Sequence, residues 1–214
     1  WLFMKRIAVT DDSSLAEAVA FCQRRAAGDS DAVLDKLEAE RRIVEDVRKR
    51  GDAAVTEYGS TFDKVSLSPT QFELSHDEIE QAISTVDRSL VAALERAHDN
   101  IRRFHEKNLR QSWEEQDEDG TLMAQKVTPI ERVGVYVPGF TAFYPSSALM
   151  NLVPAKVAGV RDILMVSPPS WNGAIHPLTL AAALIGGATR IFRVGGVQAI
   201  AALAYGTQTI PQVD

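Results

Sequence analysis

Thiol chemistry is nearly absent from this chain: Cys22 is the only cysteine in 214 residues. A lone thiol cannot close an internal disulfide, and without neighbouring ligands it marks no metal site. Long apolar runs are missing too, since nowhere do the roughly 18 successive apolar residues of a bilayer span occur. The opening residues lack the basic-then-apolar order of a secretory signal, so a cytoplasmic location is expected. Basic charge is in deficit, with 23 Lys+Arg against 29 Asp+Glu. With no basic stripe either, neither nucleic acid nor a membrane is expected as a partner. Histidine clusters are also lacking. His98 and His105 stand about 10 Å apart along one expected helix, too far to share a metal ion. His76 falls at a helix start and His176 before a proline, and all four read as exposed or packed structural residues.

What is present is the balance of a globular protein, 45% hydrophobic and 24% charged. The charge divides unevenly: residues 1–110 hold 17 of the 23 Lys+Arg and 21 of the 29 Asp+Glu. In that first part the apolar residues keep a helical period. Leu90, Leu94, Ala97, Ile101 and Phe104 share one face of a long helix, and that face is expected to be buried. Ser75 and Glu78 form a capping box ahead of Ile79 and Ile83. Leu34, Leu37, Val44 and Val47 mark another helix that Gly51 ends, and a weaker one lies between Ser14 and Ala27. Residues 111–131 read as a β-hairpin turning at Asp119-Gly120, with an acidic, solvated tip.

From Val133 onward short apolar runs alternate with apolar helices. Strands are expected at 133–137, 163–166 and 191–194, and helices at 148–158, 178–185 and 199–204. This βαβαβα order belongs to a parallel sheet with helices on it, and the continuous apolar strands fit a sheet covered on both faces. The expected fold class is therefore α/β, in three parts. Residues 1–110 are a helical region, 111–131 a hairpin connection, and 132–214 a Rossmann-like, nucleotide-binding-type domain with an incomplete parallel sheet.

Ligands of such sheets bind beyond the carboxyl ends of the strands. There the sequence places Tyr136 with Pro138-Gly139, then Ser167-Pro168-Pro169, then Gly195-Gly196-Val197-Gln198 directly before a helix. A Gly pair at that junction admits close approach of a ligand, and the helix start suits an anion such as a pyrophosphate. It equally suits a plain tight turn. The G-x-G-x-x-G pattern is absent and no acidic residue follows the second strand to hold a ribose, so a dinucleotide would bind in an atypical mode.

Longer motifs carry more. Glu131 to Gly139, Tyr144 to Asn151 and Val153 to Val160, followed by Ser167-Pro168-Pro169 and Val194 to Thr207, resemble the histidinol dehydrogenase family in order and spacing. Arg50 to Val55 and Tyr58 to Asp63 fit the same family. The resemblance implies a zinc-dependent, NAD-linked oxidation of L-histidinol to L-histidine in histidine biosynthesis, in two hydride transfers through an aldehyde-level intermediate. It implies intertwined homodimers whose subunits are about twice this length. It places NAD against Tyr136 and Gln198, which agrees with strand-end positions that also include Gly139, Gly195 and Gly196. The zinc ligands, the Glu-His acid/base pair and the substrate residues of the family have no matching positions in this sequence, so no catalytic or metal-binding residue is expected in it.

Three readings follow from these residues. The chain is the amino-terminal, NAD-side half of a histidinol dehydrogenase, inactive alone; or a paralogue acting on another small alcohol; or a non-catalytic binding or assembly module. Phe140 stands where the family has a second glycine, putting a bulky ring where positive φ or close approach is usual. A non-glycine residue at positive φ costs roughly 1–2 kcal/mol. Phe140→Gly is therefore expected to tighten NAD binding in a calorimetric titration, and equal affinities would show the ring to be harmless.

Overall fold

A computed structural model describes residues 7–26, 30–139 and 142–214. The chain divides into two compact units, residues 1–42 and residues 43–214. The helices are α1 (Asp12–Ala26), α2 (Ser30–Arg50), α3 (Asp52–Tyr58), α4 (His76–Ile83) and α5 (Arg88–Glu106) before the hairpin. After β1 (Trp113–Gln116) and β2 (Leu122–Gln125) come β3 (Arg132–Tyr136), α6 (Pro145–Val157), β4 (Asp162–Val166), α7 (Pro177–Gly186), β5 (Arg190–Phe192) and α8 (Gly196–Tyr205). The first unit is helical, and α1 opens where Asp11 accepts the Ser14 N–H at 2.8 Å.

In the second unit, β3, β4 and β5 form a parallel sheet in that order, with Val135 opposite Met165 and Met165 opposite Ile191. The alternation of side chains splits each strand between two cores. Val135, Ile163, Met165 and Ile191 point into one, with α6, α7, Ile79 of α4 and Leu94 of α5. Leu164, Val166, Phe192 and Val194 point into the other, with Val47, Val55 of α3 and the alanine-rich face of α8. The sheet is thus covered on both faces, as its unbroken apolar strands require.

The free edge of β5 is closed by residues from the helical region. Leu74 N–H donates to the Ile191 carbonyl at 2.9 Å and Arg193 N–H to the Phe72 carbonyl at 2.8 Å, so residues 72–74 bridge β5 in the antiparallel sense. Arg190 grips Glu73 with two hydrogen bonds, and Arg193 reaches Glu78 at 2.6 Å. Glu78 also completes the capping box with Ser75 at the start of α4, and these donors, the Ser75 N–H first, hold its carboxyl below the usual range.

The long helix α5 departs from expectation at its ends. Its middle is buried, but Leu90 is 48% and Phe104 65% exposed. Only the central turns meet α6 and α7, so the stripe continues in sequence past the surface available to cover it. The hairpin pairs Trp113 with Gln125 and Gln116 with Leu122, and every residue of its two strands is exposed. Its tip closes at Asp119-Gly120, with Gly120 at φ +89°.

Helices α6 and α7 pack tightly at Gly186, where an added Cβ would lie 2.9 Å from the Cβ of Leu152. Helix propensity alone favours Gly186→Ala by about 1 kcal/mol. The clash meets a carbon fixed to the backbone and should outweigh that gain, giving a net loss of about 1–3 kcal/mol in denaturant unfolding. An unchanged or raised midpoint would show that the two helices slide apart at little cost.

Candidate functional site

All three parallel strands end on one rim. Beyond β3 the chain runs Val137-Pro138-Gly139, beyond β4 Ser167-Pro168-Pro169, and beyond β5 Val194-Gly195-Gly196 into α8. The Tyr136 hydroxyl accepts the Gly196 N–H at 3.2 Å, which fastens the end of the first strand to the start of the last helix. Gly196 has φ +65°, a left-handed conformation that side chains with a Cβ resist. Gly195 is extended, but a Cβ there would lie 2.4 Å from Pro168 Cβ, so only a glycine lets the two turns touch. Gly139 packs on Ser170 and Pro168 in the same cluster. Tyr136, Gly139, Gly195, Gly196 and Gln198 are therefore brought together.

Gln198 lies beneath that rim. It is wholly buried in the first turn of α8, and neither its Oε1 nor its Nε2 has a hydrogen-bond partner. A Cβ on Gly196 would sit 2.5 Å from Oε1, so the amide is folded against the turn. Leaving such a group unpaired costs about 1–3 kcal/mol. Close by, Asp63 Oδ1 lies 3.2 Å from where a Gly195 Cβ would be and is also unpartnered. Burial pushes the Asp63 carboxyl above the usual carboxylate range, partly offset by the Gly195 amide. After Glu131 the sequence itself offers only Asp162 and Asp214 as carboxylates. Asp63 arrives from a π-helical turn, residues 59–63, that follows α3, and its contact over more than a hundred residues left no periodic signal.

The open space lies to one side of these residues. A cavity of about 350 Å³ is walled by Phe143, Trp171 and His176 and by the loops after β3 and β4, and takes in Gly139 but not Tyr136, Gly195, Gly196 or Gln198. Tyr136 and Gln198 thus lie in a tight cluster, with the cavity beyond Pro168. His176, read as structural from sequence, caps α7: its Nδ1 accepts the Leu178 N–H at 3.1 Å, and its ring stacks on Phe143. Desolvation lowers its pKa, so the ring is neutral at pH 7. Phe140 lies outside the described residues. Among the described residues no three His, Cys, Asp or Glu side chains converge to hold a metal.

A βαβαβ sheet with a glycine turn opening its last helix defines a Rossmann-like α/β protein. Residues 23–214 match the family model described as histidinol dehydrogenase. A histidinol dehydrogenase of Heliobacterium mobile is 53% identical over 165 residues, 77% of this chain and 39% of that protein. One from Syntrophotalea carbinolica is 44% identical over 99% of this chain and 48% of its own length. The crystal structure of histidinol dehydrogenase from Elizabethkingia anophelis superposes with a TM-score of 0.78 at 34% identity, over 83% of this chain and 41% of that one. The chain belongs to the histidinol dehydrogenase family, an oxidoreductase family, and spans less than half the length of these relatives.

Asp63 yields a pH-dependent expectation. A carboxyl whose folded-state pKa lies above its unfolded value binds more proton in the native state, so stability falls as pH rises between the two values. Asp63→Asn removes that loss. The variant should unfold at a higher temperature than the parent at pH 7, and the difference should vanish below about pH 3.9, the ordinary aspartate value. A difference independent of pH would show that the carboxyl is not desolvated.

Proposed function

We propose that this chain supplies the NAD-side half of a histidinol dehydrogenase, whose whole subunit oxidises L-histidinol to L-histidine in histidine biosynthesis. In this reading the protein is cytoplasmic and works as a homodimer. Residues 132–214 are its nucleotide-binding part, 1–110 the helical region and 111–131 the connecting hairpin. Family membership supports the reaction. The observation that carries the cofactor assignment is the unpaired, buried amide of Gln198 under the Gly195-Gly196 turn, with the Tyr136 hydroxyl fixed on the same turn.

These residues fit a dinucleotide. The first amides of α8 have no acceptor within the helix and sit at the positive end of its dipole, which suits a pyrophosphate. Gly195 and Gly196 leave the backbone bare where a phosphate would approach. Gln198 offers a donor and an acceptor on one group, the pattern that an amide or a hydroxyl of the cofactor matches. Tyr136 holds the turn in place through the Gly196 N–H. Bound NAD supplies a hydride acceptor for an alcohol carbon. Zinc finds no donor set among the described residues.

Removing a hydride from an alcohol also requires a base, or a metal that polarises the oxygen. The rim offers a phenol, an amide and glycines, so the 214-residue chain alone is expected to be inactive. The test follows NADH absorbance with zinc, NAD and histidinol at high protein concentration. Sustained histidinol-dependent NADH production would place a complete catalytic site in these residues and overturn the assignment. In parallel, Gln198→Leu should leave stability unchanged or raised, because it removes an unpaired polar group of similar size. The same substitution should weaken NAD binding about tenfold or more by calorimetry. Undiminished binding would remove Gln198 from the site.

A further inference from the structure

The surface running from the end of α5 through the hairpin takes no part in the rim. Phe104 is 65% exposed in the last turn of α5, and Leu109, Trp113, Leu122, Met123 and Ile130 stand open beyond it. Among the described residues β1 and β2 pair only with each other. Two strands alone are marginal in water, and an apolar surface of this extent left open marks a contact face. Alternation along the strands gives that face an order. Trp113 and Glu115 share one side of the hairpin with Met123 and Gln125, and the Trp113 Nε1–H donates to the Gln125 side chain on that side at 3.0 Å.

Charge decides what the face fits. From Glu114 to Asp119 the hairpin carries five carboxylates and no cation, whereas Arg102, Arg103, Lys107 and Arg110 make the end of α5 and the turn after it basic. Arg102 is paired with Glu106 at 2.6 Å, and Arg103 donates to the Asn100 side chain and the Asp99 carbonyl. Among the described residues none of the five hairpin carboxylates forms an ion pair, and neither does Lys107 or Arg110. Arg103, Phe104 and Lys107 border one open depression of about 490 Å³. Opposite charges at the two ends of one segment, kept apart within the chain, are self-complementary. A two-fold axis brings each acidic hairpin to the other copy's basic helix end. A partner charged with one sign would satisfy only one of the two.

We infer that the hairpin of one copy seats its Trp113 and Met123 side on Phe104 of a second copy, with Glu115 and Glu118 against Arg103 and Lys107, and that the second copy returns the same contact. The inference rests on the homodimer reading above and adds to it the surface through which the copies meet.

The test is sedimentation equilibrium of the 214-residue chain. The parent should dimerise reversibly, and more weakly as salt rises, because exposed charges are screened. Glu115→Lys with Glu118→Lys makes one variant, and Arg103→Glu with Lys107→Glu the other. Each reversal acts twice across the two-fold axis, so either variant alone should dimerise about tenfold more weakly or worse. Mixed in equal amounts, the two should associate with each other as tightly as the parent does with itself, since every contact again joins opposite charges. Phe104→Ser should weaken the parent dimer at every salt concentration. All five side chains are exposed, so the far-ultraviolet circular dichroism of the variants should match the parent's. A parent that stays monomeric at millimolar concentration would overturn both the contact and the homodimer reading of this chain. A dimer that both charge variants leave unchanged would overturn the contact and leave the homodimer reading standing. Variants that weaken the dimer singly but do not recover on mixing would overturn the reciprocal contact.

Discussion

Burial of β4 on both faces is the constraint from which the rest of the second unit follows. Ile163 and Met165 enter one core while Leu164 and Val166 enter the other, and all four are shut from solvent. A strand so placed cannot shift by one residue without exchanging its two faces, and neither core would accept the exchange. Its register against β3 and β5 is therefore fixed, and with it the height at which each strand ends. That is why Tyr136, Pro168 and Gly195 arrive at one level, although about 30 residues separate each from the next. The closeness of Gly195 to Pro168 and of Gly196 to Tyr136 is a consequence of core packing, transmitted through rigid strands.

The parts of this arrangement governed by local periodicity were legible in the sequence. Unbroken apolar strands announced a two-sided parallel sheet, the Ser75/Glu78 pair announced the start of α4, and Asp119-Gly120 announced the hairpin. Where local pattern and tertiary supply disagree, the sequence reading overreached. The stripe of α5 runs from Leu90 to Phe104, but the surface it covers is shorter than the stripe. Periodicity states which face of a helix is apolar. It does not state how long the partner is.

The rim was legible in its residues and less so in its geometry. Tyr136, Gly139, Gly195, Gly196 and Gln198 stand at strand ends for reasons the sequence contains. That Gln198 folds beneath the turn, that Asp63 reaches the same turn from the π-helical segment after α3, and that space opens beside Phe143 and Trp171 are consequences of loop conformation and long-range packing. His176 illustrates the difficulty. A histidine before a proline reads as a structural residue, and as the cap of α7 it is one. The same backbone position that makes it a cap also presses its ring onto Phe143, so one residue serves both the helix and the cavity wall.

The distribution of cost over the molecule bears on why the rim has this form. Gln198 and Asp63 hold unpaired buried polar atoms, and Gly196 holds a left-handed backbone conformation that residues with a Cβ resist. The two unpaired polar groups would be relieved by a simple substitution if packing alone decided the sequence at these positions. They lie within a few ångströms of one another, at the ends of strands whose interiors show no such defects among the described residues. Strain and unmet hydrogen bonding are tolerated where a surrounding core over-determines the local structure, and here the two cores flanking β4 do so. The Arg190–Glu73 and Arg193–Glu78 contacts hold residues 73–78 against the β5 edge, and the Asp63 turn lies just before them in the chain. An isolated sheet domain cut at residue 132 would lose that bracing and the Asp63 carboxyl with it. Residues 59–78 therefore belong to the physical definition of the rim.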